Sequence, residues 1–481
     1  MPDGRIAIMR FLRASLVVAA GLLAATGRAA EPGTVSGLVR LEEGGPLRGV
    51  LVEAKGGSAH GATDADGRFR LEGVAPGTVE VTFRLPGFVS VVRRVEVRAG
   101  EDAVLEVAMP LSASASVVVT TKRSFRNLAE AASPGDLIGV ADSATEGAVT
   151  GAQIDDRPIW RPGDVLESVP GLVVSQHSGD GKANQYYLRG FNIDHGTDLA
   201  TSIAGMPVNM PTHGHGQGYT DTSFLIPELV SGVQFRKGPY FADTGDFSNA
   251  GAVDILYVNS LERGIATAGV GENGYFRTLA ADSPELGAGR LLWAAEYTGN
   301  DGPWVVPEDY RKWNGLLRYS VGDAGSGWAI TAMGYDGSWD STDQVPRRAV
   351  DAGSIDRFGT VDDTDGGASH RYSLSGEWQR SGEGNRTSAS VYGIDYAMNL
   401  WSNFTYALDD PENGDQFEQE DRRRVYGAQG RHQWLTRLGA FDLESSAGLQ
   451  VRHDDIRSVG LYHTRARQRL SATRQDSVGQ T

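Results

Sequence analysis

The sequence predicts a mainly β protein in three parts: an all-β module, a middle domain with one short helix and several short strands, and a C-terminal series of amphipathic antiparallel strands. Three observations support this prediction. Runs of β-branched residues separated by turn signals fill residues 31–110. Short β-type runs separated by Gly-rich turns follow a Pro-bounded helix within residues 122–259. From residue 260 to residue 481, longer strands alternate apolar and polar side chains.

Composition excludes several classes of protein. The 481 residues include no Cys, which excludes disulfide scaffolds and Cys-ligated zinc or iron–sulfur centres. The formal net charge is −16, from 45 Lys and Arg against 61 Asp and Glu. Because phosphate binding needs a basic surface, we expect no nucleic-acid partner.

The first 30 residues have the pattern of a secretory signal peptide. Arg10 and Arg13 form a basic region, residues 16–25 form an apolar region, and residues 27–30, Gly-Arg-Ala-Ala, resemble a cleavage site. The apolar run is shorter than the roughly 20 residues of a membrane-spanning helix. The sequence therefore predicts export, with residues 1–30 removed.

Residues 31–110 are predicted to form a small β module with its own core. Its last strand places Ala103, Leu105, Val107 and Met109 on one face, as a half-buried strand requires. Residues 111–121 then combine small residues with three consecutive valines. Such a run is either an ordinary interdomain linker or an exposed strand able to add to the sheet edge of a partner.

Five short motifs follow one another between residues 164 and 259. They read, in order, DVLESVPGL, YYLRGF, GMPV, IPELVSGVQFRKGP and NAGAVDI. This order resembles the plug domain of TonB-dependent outer-membrane receptors, the gated transporters of Gram-negative bacteria. Residues 31–110 are similar to the carboxypeptidase-regulatory-like β-sandwich that often precedes the plug in this family. The resemblance implies a plug domain of mixed α/β structure over residues 122–259.

The resemblance also implies partners and a location. The cell outer membrane would surround the protein, an extracellular small ligand would bind to its outer face, and the periplasmic TonB complex would supply work from the proton-motive force. The partner-binding strand of the family, the TonB box, would then lie in the linker. Its residues in this sequence would be Ser116, Val117, Val118, Val119, Thr120 and Thr121.

Residues 260–481 are predicted to form part of a transmembrane antiparallel β-barrel. In residues 371–378, Tyr372, Leu374 and Trp378 alternate with polar residues. A soluble β-sandwich with one wet face gives the same alternation, but the export signal and the resemblance favour the barrel. Plugged transporters close with about 22 strands, whereas this region has room for about nine or ten. We therefore expect an incomplete barrel from a C-terminally truncated receptor.

The motifs of common enzymes are missing from the sequence. It contains no zinc-peptidase His motif and no G-x-S-x-G nucleophile elbow. Gly269, Gly271 and Gly274 spell G-x-G-x-x-G, but a β-type run follows where dinucleotide binding needs a helix. We interpret these glycines as part of a barrel hairpin, and we expect neither catalytic activity nor a bound cofactor.

The segment GMPVNMPTHGHGQG, residues 205–218, contains the candidate ligand residues. His213 and His215 are two apart in a Gly-rich loop, Met206 and Met210 add thioethers, and His195 lies upstream. Imidazole suits copper, zinc and nickel, whereas thioethers favour copper(I). The alternative is a structural loop in which the histidines make ordinary hydrogen bonds.

Three cationic residues of the plug are predicted to contact carboxylates that point into the barrel. They are Arg189, Arg236 and Lys237. The resemblance allows ferric siderophores, haem, cobalamin, free metals or oligosaccharides as substrate, and also a signalling role. The histidine loop favours a transition metal (copper, zinc or nickel) or its chelate.

Overall fold

The computed structural model describes residues 31–42, 44–56, 59–112, 146–176, 179–240, 242–340, 343–439 and 441–481. The expected signal peptide (residues 1–30) and the expected TonB box (residues 116–121) lie outside these ranges. Within the ranges, no helix is both long enough and apolar enough to cross a membrane.

The N-terminal domain consists of two facing sheets around one apolar core. One sheet has the order β4–β1–β7 and the other the order β3–β2–β5–β6. Val39, Phe83 and Met109 are fully buried between them. In the last strand Val107 is also buried, and Ala103 and Leu105 are half-buried, which confirms the predicted inner face. The strands are β1 (Gly33–Leu41), β2 (Leu51–Ala54), β3 (His60–Ala62), β4 (Arg68–Val74), β5 (Gly77–Arg84), β6 (Val91–Val97) and β7 (Asp102–Met109).

The middle domain contains short helices and two small sheets. Its five-stranded sheet has the order β13–β12–β15–β14–β8, with β12 and β15 parallel, and its three-stranded sheet the order β11–β10–β9. The elements are β8 (Glu146–Thr150), α1 (Gly151–Asp155), 3-10 helix η1 (Pro162–Ser168), β9 (Leu172–Ser175), β10 (Gln185–Leu188), β11 (Phe191–Asn192), β12 (Leu199–Ile203), β13 (Met206–Pro207), η2 (Pro227–Leu229), β14 (Val230–Lys237), η3 (Ala242–Thr244) and β15 (Gly251–Tyr257).

A tight turn divides one predicted run of this domain into two strands. The sequence suggested a single β-type run over residues 199–208, but the chain reverses at Ala204 and Gly205, whose φ angles are 48° and 71°. Two consecutive left-handed residues form the turn that best matches the twist of a hairpin. This hairpin starts the segment that carries the histidine loop.

The C-terminal region is one antiparallel sheet of eleven strands, counting the two-residue β18 beside β19. This is slightly more than the nine or ten strands expected from chain length. The G-x-G-x-x-G motif lies in the β16–β17 hairpin, as we interpreted it. The strands are β16 (Ile265–Val270), β17 (Phe276–Asp282), β18 (Glu285–Leu286), β19 (Gly289–Asn300), β20 (Tyr310–Gly322), β21 (Ser326–Asp340), β22 (Gly366–Gly382), β23 (Asn385–Ser402), β24 (Phe417–Leu438), β25 (Phe441–Arg465) and β26 (Gln468–Gln480). A five-residue helix, α2 (Arg347–Asp351), lies between β21 and β22.

This sheet buries its polar face and exposes its apolar face. Tyr372 and Leu374 in β22 are 49% and 56% exposed, whereas Arg371 and Ser375 on the opposite face are 3% and 2% exposed. A soluble sandwich has the reverse arrangement, because water favours the polar face. Apolar side chains outside and polar side chains inside are the pattern of a transmembrane barrel wall. The sheet is therefore an incomplete barrel wall that surrounds the middle domain.

The two ends of the wall differ. At one end neighbouring strands are joined by the short turns 323–325 and 383–384. The other end has the longer segments 301–309, 343–365 and 403–416, besides the short turns 271–275 and 466–467. The N-terminal domain lies against the short-turn end, where Gly384 N donates to Gly49 O at 2.8 Å. Arg84 forms an ion pair with Asp442 at the same end. The long-loop end is thus on the side away from the N-terminal domain.

Candidate functional site

The histidine loop lies at the long-loop end of the wall. His213 contacts Tyr396 near the end of β23, and His215 contacts Gln419 near the start of β24. The segment before the histidines is tied to its own domain by Asn209, whose Nδ2 donates to Leu199 O at 2.9 Å and whose Oδ1 accepts from Thr201 N at 2.7 Å. These bonds fix the base of the loop.

Three arginines of the wall bind backbone carbonyls of this segment. Arg423 donates to Pro211 O at 2.6 Å and to Thr212 O at 3.2 Å. Arg452 donates to Asn209 O at 2.9 Å, and Arg371 donates to Pro207 O at 3.3 Å. We call Arg371, Arg423 and Arg452 the arginine clamp.

Buried carboxylates hold the clamp in place. Arg423 Nη2 lies 2.6 Å from Asp421 Oδ2, and its Nη1 lies 3.1 Å from Asp454 Oδ2. All three side chains are at most 2% exposed, and Arg452 also pairs with Asp454. Buried charges of this kind need partners that satisfy them. Sequence analysis missed the clamp, although charged residues on the inner face of an alternating strand are a usable signal.

His213 is held by three contacts. Its ring stacks on Tyr219 with centroids 4.2 Å apart and an interplanar angle of 3°. Its Nδ1 accepts from His215 N at 3.1 Å, so the ring proton is on Nε2, which donates to Tyr396 Oη at 3.1 Å. Burial and the charge of Arg423 hold the pKa of His213 well below its usual value. His213 is therefore neutral, and both its nitrogens are engaged within the protein.

His195 and His215 face each other. Their Nε2 atoms are 3.0 Å apart and their ring centroids 4.6 Å apart. Nδ1 of His195 lies 3.1 Å from the carbonyl oxygens of both Ala183 and Asn184, and Nδ1 of His215 lies 2.8 Å from Gln419 Oε1. The two histidines, 20 positions apart in the sequence, meet because the β12–β13 hairpin and the loop return the chain to residue 195.

The two methionines lie elsewhere. Met206 and Met210 are 0% and 2% exposed in the apolar core, and Met210 Sδ accepts from Arg452 Nη2 at 3.9 Å. The structure does not describe a contact between either sulfur and the facing imidazoles. Across the residues that the structure describes, no group of three or more His, Asp or Glu side chains is placed to hold a metal ion.

The predicted plug cations have mostly local contacts. Arg236 pairs with Glu146 at 3.2 Å and with Asp243 at 3.0 Å, both in its own domain. Asp243 in turn pairs with Arg431 of β24 at 2.9 Å, so the link to the wall runs through a carboxylate of the plug.

The described contacts of Lys237 and Arg189 lie within the middle domain. Lys237 donates to Pro170 O at 2.5 Å, within the middle domain. Arg189 is exposed, with φ 52°, and its backbone N donates to Gly171 O at 2.8 Å. The direct contacts to wall carboxylates that we expected are absent from the described contacts of Arg236 and Lys237. Between the plug and the described wall, ion pairs run in both directions. Glu228 of the plug accepts from Arg277 of β17 at 2.6 Å, and Lys182 of the plug donates to Asp343 of the β21–β22 loop at 3.0 Å.

Two family models match the chain. The model of the carboxypeptidase regulatory-like domain matches residues 34–110, and the model of the TonB-dependent receptor plug domain matches residues 140–252.

Solved structures share the fold. The chain is similar to the ferric citrate transporter FecA in its unliganded form, with a TM-score of 0.55 and 14% identity over 72% of this chain and 52% of that chain. The copper transporter OprC matches with a TM-score of 0.50 and 18% identity over 75% of this chain and 51% of that chain. FpvA of P. aeruginosa, bound to a heterologous iron-pyoverdine, matches with a TM-score of 0.52 and 14% identity over 74% of this chain and 48% of that chain. At these identities the similarity concerns the fold, and the chain spans about half the length of these proteins.

Proposed function

Since the chain belongs to the TonB-dependent receptors by its plug domain, its regulatory-like domain and its fold, we propose that it takes up a transition metal or a metal chelate across the outer membrane of a Gram-negative bacterium. The proton-motive force would drive this transport through TonB. The observation that carries the proposal is the imidazole-bearing loop of the plug, which lies at the long-loop end of the wall.

The position of the loop supports a role in substrate capture. In transmembrane barrels the long loops are extracellular and the short turns periplasmic. The histidines therefore lie at the outer end, where substrate arrives, and the N-terminal domain lies at the inner end, where TonB acts. The arginine clamp holds the loop through backbone carbonyls, so its contacts are to the main chain and not to the imidazoles.

Names of the similar structures are compatible with this substrate class. One is a copper transporter and two are receptors for iron chelates. These similarities do not identify the substrate of this chain, because what it shares with the three proteins is the fold. The alternative is a receptor of the same architecture that binds haem, cobalamin or an oligosaccharide, or that has a signalling role. The experiment must distinguish this alternative from metal uptake.

Uptake in cells tests the proposal. A Gram-negative host without its own metal receptors would express the gene in tonB-positive and tonB-deleted backgrounds, and cell-associated copper, zinc, nickel and iron would be measured by mass spectrometry. We expect one of the supplied metals or chelates to accumulate only in the tonB-positive cells. TonB-dependent uptake of haem, cobalamin or a sugar, with no metal-dependent signal, would contradict the proposal.

The TonB box at residues 116–121 is the proposed partner site. Replacing Val118 by Pro removes a backbone N–H that strand pairing needs. We expect Val118→Pro to abolish accumulation while leaving metal binding to the purified receptor unchanged.

A further inference from the structure

The ring proton of His195 has a fixed position. Its Nδ1 lies 3.1 Å from two backbone carbonyl oxygens, of Ala183 and Asn184. A carbonyl oxygen only accepts hydrogen bonds, so Nδ1 must carry the proton. In the neutral imidazole, Nε2 then carries its lone pair on the side that faces His215.

The ring proton of His215 is fixed in the same way. Gln419 Nε2 donates to Gly214 O at 2.9 Å, which determines the orientation of the amide. Its Oε1 therefore faces His215 Nδ1 at 2.8 Å and accepts a proton from it. Nε2 of His215 is again the atom with the lone pair.

The two Nε2 lone pairs thus face the same space, with the nitrogens 3.0 Å apart. Two acceptors repel at this distance unless a cation, either a proton or a metal ion, lies between them. Metal–imidazole bonds are about 2.0–2.1 Å long, so an ion shared by both nitrogens would subtend an angle of roughly 95°. This angle falls within the range of tetragonal and distorted tetrahedral sites. An Nδ1–H bonded to a carbonyl oxygen is also the usual support of a metal-ligating histidine.

The pair opens towards solvent on one side. His215 is half-buried and Gln217 beyond it is exposed. Asp194 Oδ1 lies 3.8 Å from His195 Nε2, and the Asp194 side chain is 56% exposed. An ion between the imidazoles would therefore have two fixed nitrogen ligands, and water or the donor atoms of a carrier would complete its coordination.

We propose that Nε2 of His195 and Nε2 of His215 are the two protein ligands of a divalent ion of the borderline class, Cu²⁺, Ni²⁺ or Zn²⁺. Imidazole nitrogen suits these ions, and the thioethers that would favour Cu⁺ are buried elsewhere. His213 supports the loop and does not ligate. That the ion is the transported cargo rests on the proposed function; the site itself rests on the geometry of the two rings.

Calorimetric titration of the full-length, detergent-solubilised, metal-free receptor with CuCl₂, NiCl₂ and ZnCl₂ tests the proposal. Three variants are compared: His215→Gln, His195→Gln, and the control His432→Gln at an exposed histidine of β24 that hydrogen-bonds to Thr387. We expect one-site binding by the wild type. Each of the first two variants should lose more than about 100-fold in affinity, a larger loss than the 10–100-fold typical of an outer support. The control should stay within about threefold.

Electron paramagnetic resonance of the Cu²⁺ complex covers the case in which His195→Gln fails to fold, because it uses the wild type and His215→Gln. We expect couplings from two imidazole nitrogens in the wild type and from one in His215→Gln. No binding by the wild type below millimolar metal would mean that the two rings share a proton, and this would overturn the proposal. A loss of affinity in His432→Gln equal to that in His215→Gln would also overturn it.

The two proposals fail in different ways. Tight metal binding without TonB-dependent metal accumulation would contradict the proposed transport function and support the proposed metal site. Metal accumulation that persists in His215→Gln and His195→Gln would support the transport function and contradict a role for the proposed site in it.

Discussion

Single hydrogen bonds decide what the residues of the histidine loop can do. His213 and His215 are two positions apart and look equivalent in the sequence, yet their environments differ. His213 is stacked on Tyr219 with both nitrogens engaged, whereas His215 directs Nε2 towards His195. The sequence identified His195, His213 and His215 as candidate ligands but could not assign them different roles. Their tautomers depend on which carbonyl groups the fold brings to each ring.

Gln419 is a positioning residue for His215. Replacing it by Leu removes the acceptor of His215 Nδ1–H, so the ring no longer has one fixed tautomer and orientation. We expect Gln419→Leu to weaken metal affinity by about 10–100-fold in calorimetry. Gln433→Leu on the exposed part of the same strand is the control and should have no effect. Equal affinities for the two variants would mean that Gln419 has no part in the site.

Asp254 in β15 predicts a pH dependence of stability. Burial, opposed by the hydrogen bond from Ser202 at 2.7 Å, raises the pKa of Asp254 to about 6. Its pKa in the unfolded chain is about 3.9. The folded state therefore binds more protons between pH 4 and pH 6, and the cost of burying the charge is fully present above this window and absent below it.

We expect Asp254→Asn to stabilise the receptor at pH 7.5 by about 1–3 kcal/mol. The gain should shrink as the pH falls and be nearly lost at pH 4. Urea unfolding followed by Trp fluorescence measures this. A gain that stays constant from pH 7.5 to pH 4 would rule out the charge as its cause.

At the scale of elements, the wall strands and the plug loop determine each other's position. The alternation of β22 was readable in the sequence because the side-chain period of a strand is two. The partners of the inner residues were not readable, because contacts such as Arg423 with Pro211 join positions more than 200 residues apart. The sequence predicted contacts between cations of the plug and carboxylates of the wall. The structure describes one such contact at Lys182 with Asp343, a residue that the sequence did not single out, whereas the described contacts of Arg236 and Lys237 are to residues of the plug.

The arginine clamp predicts a large effect of a single substitution. Arg423→Met leaves Asp421 and Asp454 buried with less compensation, which typically costs about 3–5 kcal/mol. It also releases the carbonyls of Pro211 and Thr212. We expect a lower unfolding midpoint and faster hydrogen exchange of the amides in residues 209–218.

The exposed neighbour Arg424 is the matched control. Arg424→Met breaks an ion pair with Asp395 whose two side chains are each 45% exposed, so it should change stability by less than about 1 kcal/mol. Adding Asp421→Asn and Asp454→Asn to Arg423→Met should restore much of the stability without slowing exchange in the loop. If Arg423→Met behaved like Arg424→Met, the clamp would not hold the plug.

At the scale of the whole molecule, the wall surrounds the plug, and the N-terminal domain lies against the short-turn end of the wall. The mainly β fold, the plug with its order of motifs and the incomplete wall were all predictable, because periodicity and turn signals are local. The docking of the N-terminal domain on the short turns was not predictable, since it depends on pairs such as Gly49 with Gly384 that no local pattern reveals.

The orientation of the wall predicts which side chains meet lipid. The chain has no Cys, so single cysteines can carry an environment-sensitive fluorophore without competition. After insertion into lipid vesicles, a fluorophore on Leu374→Cys should emit at shorter wavelength than one on Glu383→Cys in a short turn. Water-like emission from both positions would contradict a membrane-facing β22.

The most direct test of the account is metal accumulation in tonB-positive cells that express either the wild-type receptor or His215→Gln at equal levels in the outer membrane. The account predicts that the wild type accumulates one of copper, zinc or nickel, or its chelate, under metal limitation. It predicts that His215→Gln falls to the level of cells without the receptor, while the exposed control His432→Gln retains most of the uptake. Equal accumulation by wild type and His215→Gln would show that the facing imidazoles have no part in transport.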